Sequence, residues 1–413
     1  MDGLIVPKIL LPKKASDADF MKKWAVIAVD QYTSEPDYWK KVEELTNNHK
    51  STYHLILPEI FLEEPDVEER IKKINDEMNR YLSEKIFDEF EGFILVDRQT
   101  RYKKSRKGLI VALDLEHYDY SKGSKTLIRA TEGTIIERLP PRIKIRKNAS
   151  MELPHIMVLI DDPEKTVIEP LFEKNFEKLY DFDLMMDSGH IKGYKIPKND
   201  TEQIIESLEK LKKKSNDGML FAMGDGNHSL ATAKAIWEDM KKNNPKLKDH
   251  PSRYALVELV NLHDEGLEFE PIHRIIFNVE KDDLFSEMKK FYDNVHFSEL
   301  RVEKKGSHCI EYIHNGKSGF IIVNNPNSNL EVGTLQSFLD YYSKLRNKKI
   351  DYIHGENVVK KISVKDNIGF ILPAMPKSEL FRTVIIDGAL PRKTFSMGEA
   401  SEKRFYLEAR KIV

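Results

Sequence analysis

Residues 219–234, Met-Leu-Phe-Ala-Met-Gly-Asp-Gly-Asn-His-Ser-Leu-Ala-Thr-Ala-Lys, restrict the fold more than any other stretch of the chain. Met219 to Met223 is an apolar run of strand length. Gly224-Asp225-Gly226-Asn227 is a tight turn. From His228 the spacing becomes helical, with Leu230, Ala233, Ala235 and Ile236 available for one apolar side. A strand that stops at glycines and opens directly into a helix leaves the first helical N–H groups without intrahelical partners. Those donors and the helix dipole both favour an anion, phosphate above all. Spacing alone also fits an ordinary connection with an Asx-type cap. The glycine spacing is neither that of a Walker A loop nor that of a dinucleotide fingerprint.

Strand and helix signals alternate on both sides of this segment, which favours an α/β or α+β core. The expected strands include Trp24–Val29, Gly92–Val96, Leu109–Leu113, Thr126–Arg129, His155–Ile160, Arg253–Leu262 and Gly369–Leu372. Helices are expected over 66–86, 202–214 and 334–345, and one opening at Glu35-Pro36 with Ser34 as N-cap. Leu139-Pro140-Pro141 should break regular structure, with a helix starting at Arg142. The basic connection holding Arg98, Arg101, Lys103, Lys104, Arg106 and Lys107 reads as a solvated hairpin. A length of 413 residues suits two or three domains. The expected division is 1–120, 121–275 and 276–413.

Composition removes several functions. Asp and Glu number 68 against 66 Lys and Arg, a net charge of −2, so no global field favours nucleic acid. Cys309 is the only cysteine, which excludes an intrachain disulfide and a Cys-rich metal site. No apolar stretch approaches membrane-spanning length. The Met1–Lys14 segment carries an early acid and interrupting prolines, unlike a signal peptide. The expected compartment is the cytoplasm.

Glu132 lies in a polar Thr-Glu-Gly-Thr turn after a strand, where a carboxylate can take a proton from a hydroxyl nucleophile. Arg142 and Arg146 share one side of a helix, and two guanidinium groups so placed can clamp phosphate oxygens. A solvated turn and a basic helix face fit the same residues. His273 and Arg274 in Pro271-Ile-His-Arg, and Lys393 in Leu390-Pro-Arg-Lys-Thr, are polar turns open to either a structural or a contact role. His190, His228 and His273 lack the spacing of a helical zinc site.

Several ordered signatures together resemble the family catalogued as domain of unknown function 1015. They are Gly108-Leu109-Ile110 before Tyr118, Arg129-Ala-Thr-Glu132-Gly-Thr134, Asp225-Gly226-Asn227-His228, Leu259-Val260-Asn261, Pro271-Ile-His273-Arg274 and Leu390-Pro-Arg392-Lys393-Thr394. The Asp-Gly-Asn-His turn also resembles the Asp-Gly-His-His-Arg turn of free-serine kinases, whose nucleotide-binding fold is shared with the ParB amino-terminal domain and sulfiredoxin. The resemblance implies a ParB/sulfiredoxin-like core in 121–275 with α/β regions at both ends. It implies transfer of a phosphoryl group from ATP or ADP, with Mg2+, to the hydroxyl of free L-serine. Glu132, Asp225 and His228 would be catalytic, with Asp225 also the metal contact. Gly224, Gly226, Asn227, Ser229, Arg142 and Arg146 would hold the nucleotide phosphates, and His273, Arg274 and Lys393 would contact substrate or phosphate. The chain departs from the kinase pattern at Ser229, where those enzymes carry arginine; Arg142, Arg146, Lys234 and Arg274 are the replacements open to it. A ParB-like nucleotide switch and a noncatalytic scaffold are the rival readings.

Overall fold

The computed structural model describes residues 1–134, 139–215 and 217–413. They form two compact units: Met1–Glu268 together with Gly398–Val413, and Phe269–Met397. The chain therefore does not divide at residue 120. Strands from both sides of that point share one sheet, because their apolar faces complete a common core.

The sheet of the first unit has ten strands. Its path runs Glu177–Asp183, His190–Lys195, Ile94–Gln99, Lys107–Asp114, Tyr254–Asn261, Met157–Ile160, Phe221–Asp225, Ile128–Arg129, Tyr118–Asp119, with Leu4–Ile5 added against Lys107–Asp114. Neighbours are antiparallel as far as Tyr254–Asn261, which runs parallel to Met157–Ile160. Phe221–Asp225 is antiparallel to Met157–Ile160 on one side and parallel to Ile128–Arg129 on the other.

Successive strand residues point to opposite faces, and here both faces are covered. Ile94, Val96, Ile110, Ala112 and Leu256 join Trp24, Trp39 and Tyr81 in one core. Leu95, Leu109, Val111, Ala255, Val257 and Leu259 join Leu230 and Trp237 in the other. Burial on both sides explains why these strands read as continuous apolar runs rather than alternating ones.

The helix Asn227–Asn243 packs through Leu230, Ala233 and Trp237, the i, i+3, i+7 stripe. Ala235 and Ile236, expected on that stripe, are only half-buried. The Pro36–Thr46 helix is N-capped at Glu35 rather than Ser34, with Pro36 at the first helical position. The helix expected from Arg142 starts at Leu139 and runs to Lys147. Pro140 and Pro141 are accommodated because first-turn N–H groups have no intrahelical acceptor to lose. Of the Trp24–Val29 strand only Val26–Ile27 pairs as a strand, since Trp24 ends the Ala18–Trp24 helix.

The 98–107 connection is a hairpin, but not a wholly solvated one. Arg98 and Arg106 are buried, and their guanidinium groups donate to the carbonyls of Ser188, Ser401 and Glu402. Burial pushes Arg98 down to about 9, with Arg106 adding to the effect.

The second unit has a seven-stranded sheet in the order Val295–Ser298, Lys317–Asn324, Ser307–His314, Ile368–Ile371, Glu270–Ile276, Ile350–His354, with Phe395–Ser396 added against Glu270–Pro271. Its longest helix, Glu331–Arg346, buries Leu335, Phe338, Leu339 and Tyr342.

Candidate functional site

Asp225 closes the inner strand Phe221–Asp225, and Gly226 turns the chain at φ 80°. That left-handed conformation suits glycine. A Cβ at this position would also sit 3.1 Å from the Ile156 side chain. Asn227, His228 and Ser229 then form the first helical turn, and the Gly226 carbonyl accepts the N–H groups of Ser229 and Leu230 at 3.0 Å each. Asn227 Oδ1 is buried with no hydrogen-bond partner among the described residues.

Glu132 reaches the same end of the sheet. Parallel pairing matches Phe221 with Ile128 and Ala222 with Arg129. The ladder ends there, three residues before Glu132. The Thr131 hydroxyl donates to the Met223 carbonyl at 2.7 Å, tying the two segments just before both acids emerge. That bond sets the segment carrying Glu132 beside the strand that leads to Asp225.

Asp225 is held by two groups. The Gly226 N–H donates to Oδ1 at 2.9 Å, and Lys403 Nζ lies 3.2 Å from Oδ2. Burial pushes the Asp225 carboxyl up, but the Lys403 ammonium, with His155 and the Gly226 N–H, holds it below the usual range. The carboxylate is therefore the ground-state form at neutral pH, already neutralised by one lysine.

Next to this turn lies a cavity of about 140 Å3. Ser229, His155, Tyr406, Arg142 and Arg146 all line it, with Leu57, Leu153 and Leu256 among its apolar walls. A larger groove of about 930 Å3 runs past Glu77, Arg80, Asp66 and Arg70. Two of its arginines are paired along one helix, Arg80 with Glu77 and Arg70 with Asp66. The smaller cavity is the one with convergent chemistry.

Arg142 and Arg146 share the Leu139–Lys147 helix and the cavity, as expected, but each holds a carboxylate. Arg142 pairs with Glu59, and Arg146 with Glu152 at 2.6 Å. Burial pushes Glu152 up, and Arg410 and Arg146 overcome it to leave the carboxyl below its usual range. Lys234 is on Glu238 at 2.6 Å and on the Leu115 carbonyl at 2.8 Å. None of the three is a ready substitute for the arginine missing at 229.

His273, Arg274 and Lys393 lie in the second unit, the first two buried and Lys393 exposed. His273 is buried and accepts the Leu372 N–H at 3.1 Å; burial is the main cause holding the ring below its usual range. Arg274 is fully buried, donates to Gln336 Oε1 at 2.8 Å and to the Arg392 carbonyl at 3.1 Å, and stacks on Tyr352. Lys393 lies over the same Tyr352 ring. His190 bridges Asp181 and Asp183, each at 2.7 Å.

Three residues escaped the sequence reading: His155, Lys403 and Tyr406. Two come from the C-terminal segment, which returns to the first unit. Phe405 and Tyr406 pair with Ile27 and Val26, and the Trp24 indole donates to the Leu407 carbonyl at 2.8 Å. The available signal was the apolar Phe-Tyr-Leu run at 405–407, bracketed by charges.

Residues 10–342 match the family described as protein of unknown function (DUF1015), and the chain belongs to it. No curated protein matches the chain significantly. Among solved structures, a free serine kinase in complex with AMP is 11% identical, with 73% of this chain and 92% of that chain covered at a TM-score of 0.40. A conserved hypothetical protein from Pyrococcus furiosus is 12% identical, covering 73% of this chain and 94% of that one at 0.37. SbnI from Staphylococcus aureus, with a C-terminal truncation, is 8% identical, with 70% and 82% covered at 0.38.

Proposed function

We propose that this member of the DUF1015 family is a nucleotide-dependent phosphotransferase with a small hydroxylated acceptor, free L-serine being favoured. One observation supports the reading: the parallel pairing of Ile128–Arg129 with Phe221–Ala222 and the Thr131–Met223 hydrogen bond set the segment carrying Glu132 beside the strand that leads to Asp225. The turn's resemblance to that of free-serine kinases supplies the chemistry.

In this reading the core is ParB/sulfiredoxin-like, and ATP or ADP lays its phosphates over Gly224–Ser229. The turn admits the close approach because Gly226 carries no Cβ, and the helix dipole favours the anion. Asn227, His228 and Ser229 present side chains to it. Lys403 supplies the cation expected of an arginine at 229. Glu132 orients the acceptor hydroxyl and takes its proton. Phosphoryl transfer demands positioning and charge stabilisation above all, and this corner offers both. Arg142 and Arg146 set the cavity wall through Glu59 and Glu152 instead of clamping phosphate.

Magnesium fits here in one way only. Among the described residues no group of three or more His, Cys, Asp or Glu side chains gathers to hold an ion. Magnesium commonly needs just one or two carboxylates plus substrate phosphates, so Asp225 would be the protein contact for an ion carried on the nucleotide. Such an ion would neutralise phosphate charge.

The test is product analysis. Purified protein is incubated with ATP or ADP, Mg2+ and each free amino acid in turn, and phosphorylated product is sought by mass spectrometry. O-phosphoserine, with nucleotide consumption that depends on serine, is the expected result. No phosphorylated product from any amino acid, with either nucleotide, would refute the serine-kinase assignment.

A further inference from the structure

Ser229 and His155 meet across the cavity wall from separate elements, the first turn of the Asn227–Asn243 helix and the residues leading into the Met157–Ile160 strand. Ser229 Oγ and His155 Nε2 are 2.9 Å apart. The other ring nitrogen, Nδ1, is 3.0 Å from the Tyr406 hydroxyl oxygen, which also accepts the Val29 N–H at 3.3 Å. Tyr406 is itself fixed, since its backbone pairs with Val26. With Nδ1–H donated to the tyrosine oxygen, Nε2 turns a lone pair toward the serine. A hydroxyl against an imidazole whose far nitrogen is held by a third group is the arrangement that activates a weak nucleophile. Here it opens onto a cavity with largely apolar walls, where water competes less for the hydroxyl.

The geometry points to Ser229 as a nucleophile that carries the phosphoryl group covalently, with His155 as its base. The identity of the donor, a nucleoside di- or triphosphate, rests on the phosphotransferase reading. Ser229 Oγ attacks the terminal phosphorus. An O–P bond forms as the bridging P–O bond breaks, the bonding pair leaves with the shortened nucleotide, and the serine proton passes to His155 Nε2. The phosphoserine then lies in the first turn of a 17-residue helix, where its charge is stabilised. In the second half, the acceptor hydroxyl loses its proton to Glu132 and attacks the phosphorus. Ser229 Oγ departs and recovers its proton from His155.

The test uses the full chain and begins without any nucleotide. A fluorophosphonate probe is expected to label Ser229, located by peptide mass mapping. Ser229→Ala should abolish that label, and His155→Gln should slow it by about tenfold or more. Thermal melts of both variants establish that they are folded. Incubation with ATP or ADP and Mg2+, with no acceptor, should then leave phosphoserine at position 229. An unlabelled Ser229 in the folded wild type overturns the nucleophile. Probe labelling without phosphorylation by either nucleotide overturns the covalent phosphoryl step. O-phosphoserine formed at full rate by a folded Ser229→Ala variant overturns the inference alone and leaves the kinase standing. A phosphorylated Ser229 with no phosphorylated amino acid supports the inference and counts against the acceptor.

Discussion

Glu132→Gln is expected to lower the rate of phosphoryl transfer to serine by about 10²–10⁴-fold, the usual contribution of a positioned general base. Glutamine keeps the shape and polarity of the half-buried side chain and loses only the proton acceptor. The neighbouring Thr131 hydroxyl, bonded to the Met223 carbonyl at 2.7 Å, holds the backbone in place in the variant. Nucleotide affinity should therefore stay near that of the wild type, because the proposed mechanism has Glu132 act on the acceptor and the Gly226 turn hold the phosphates. The effect should appear in kcat, measured with saturating nucleotide and serine. An unchanged kcat would remove Glu132 from the chemistry. A collapse of nucleotide affinity with kcat preserved would make it part of the binding surface.

The largest expected loss of stability comes from the C-terminal segment. Arg404 is buried between two carboxylates, with Glu258 Oε2 at 2.5 Å and Glu408 as its second partner. Glu258 and Glu408 are themselves almost fully buried, and the Tyr180 hydroxyl donates to Glu408 at 2.6 Å. Burial pulls the Arg404 guanidinium down, but Glu408 and Glu258 win and leave it firmly charged. Arg404→Met removes the cation and leaves two carboxylates in a dry interior. Breaking a buried pair in this way costs about 3–5 kcal/mol. Urea unfolding of the variant against wild type reads the difference. The variant with Glu258→Gln and Glu408→Gln added should recover part of the loss, since neither carboxylate is then left charged without its arginine. A loss below about 0.5 kcal/mol, typical of surface substitutions, would show that the segment is not integral to the first unit.

The strand, turn and helix at 219–243 were legible because their signals are local: an apolar run, two glycines and a helical stripe, all within 25 residues. The same holds for the Met157–Ile160 and Tyr254–Asn261 strands, whose apolar runs are bounded by polar turns. Glu132 and Asp225 could be named separately, but the parallel pairing of Ile128–Arg129 with Phe221–Ala222, segments some ninety residues apart, is not encoded in local pattern. Lys403, Arg404 and Arg410 belong to no motif in the sequence. Only the fold reveals their partners: Asp225, Glu258 and Glu152. For the same reason Arg142 and Arg146 passed for a phosphate clamp. Their spacing along the helix was visible, whereas Glu59 and Glu152 reach them from other parts of the chain.

Calorimetric titration with ADP and with adenosine tests most directly whether the Gly224–Ser229 turn, with Asp225 and Lys403, holds nucleotide phosphate. Both ligands carry the same base and ribose, so the difference isolates the phosphates. ADP should bind about tenfold or more tightly than adenosine, about 1.4 kcal/mol or more in binding free energy, and Lys403→Gln should narrow that gap. Equal affinities, or no binding of ADP at all, would contradict the account.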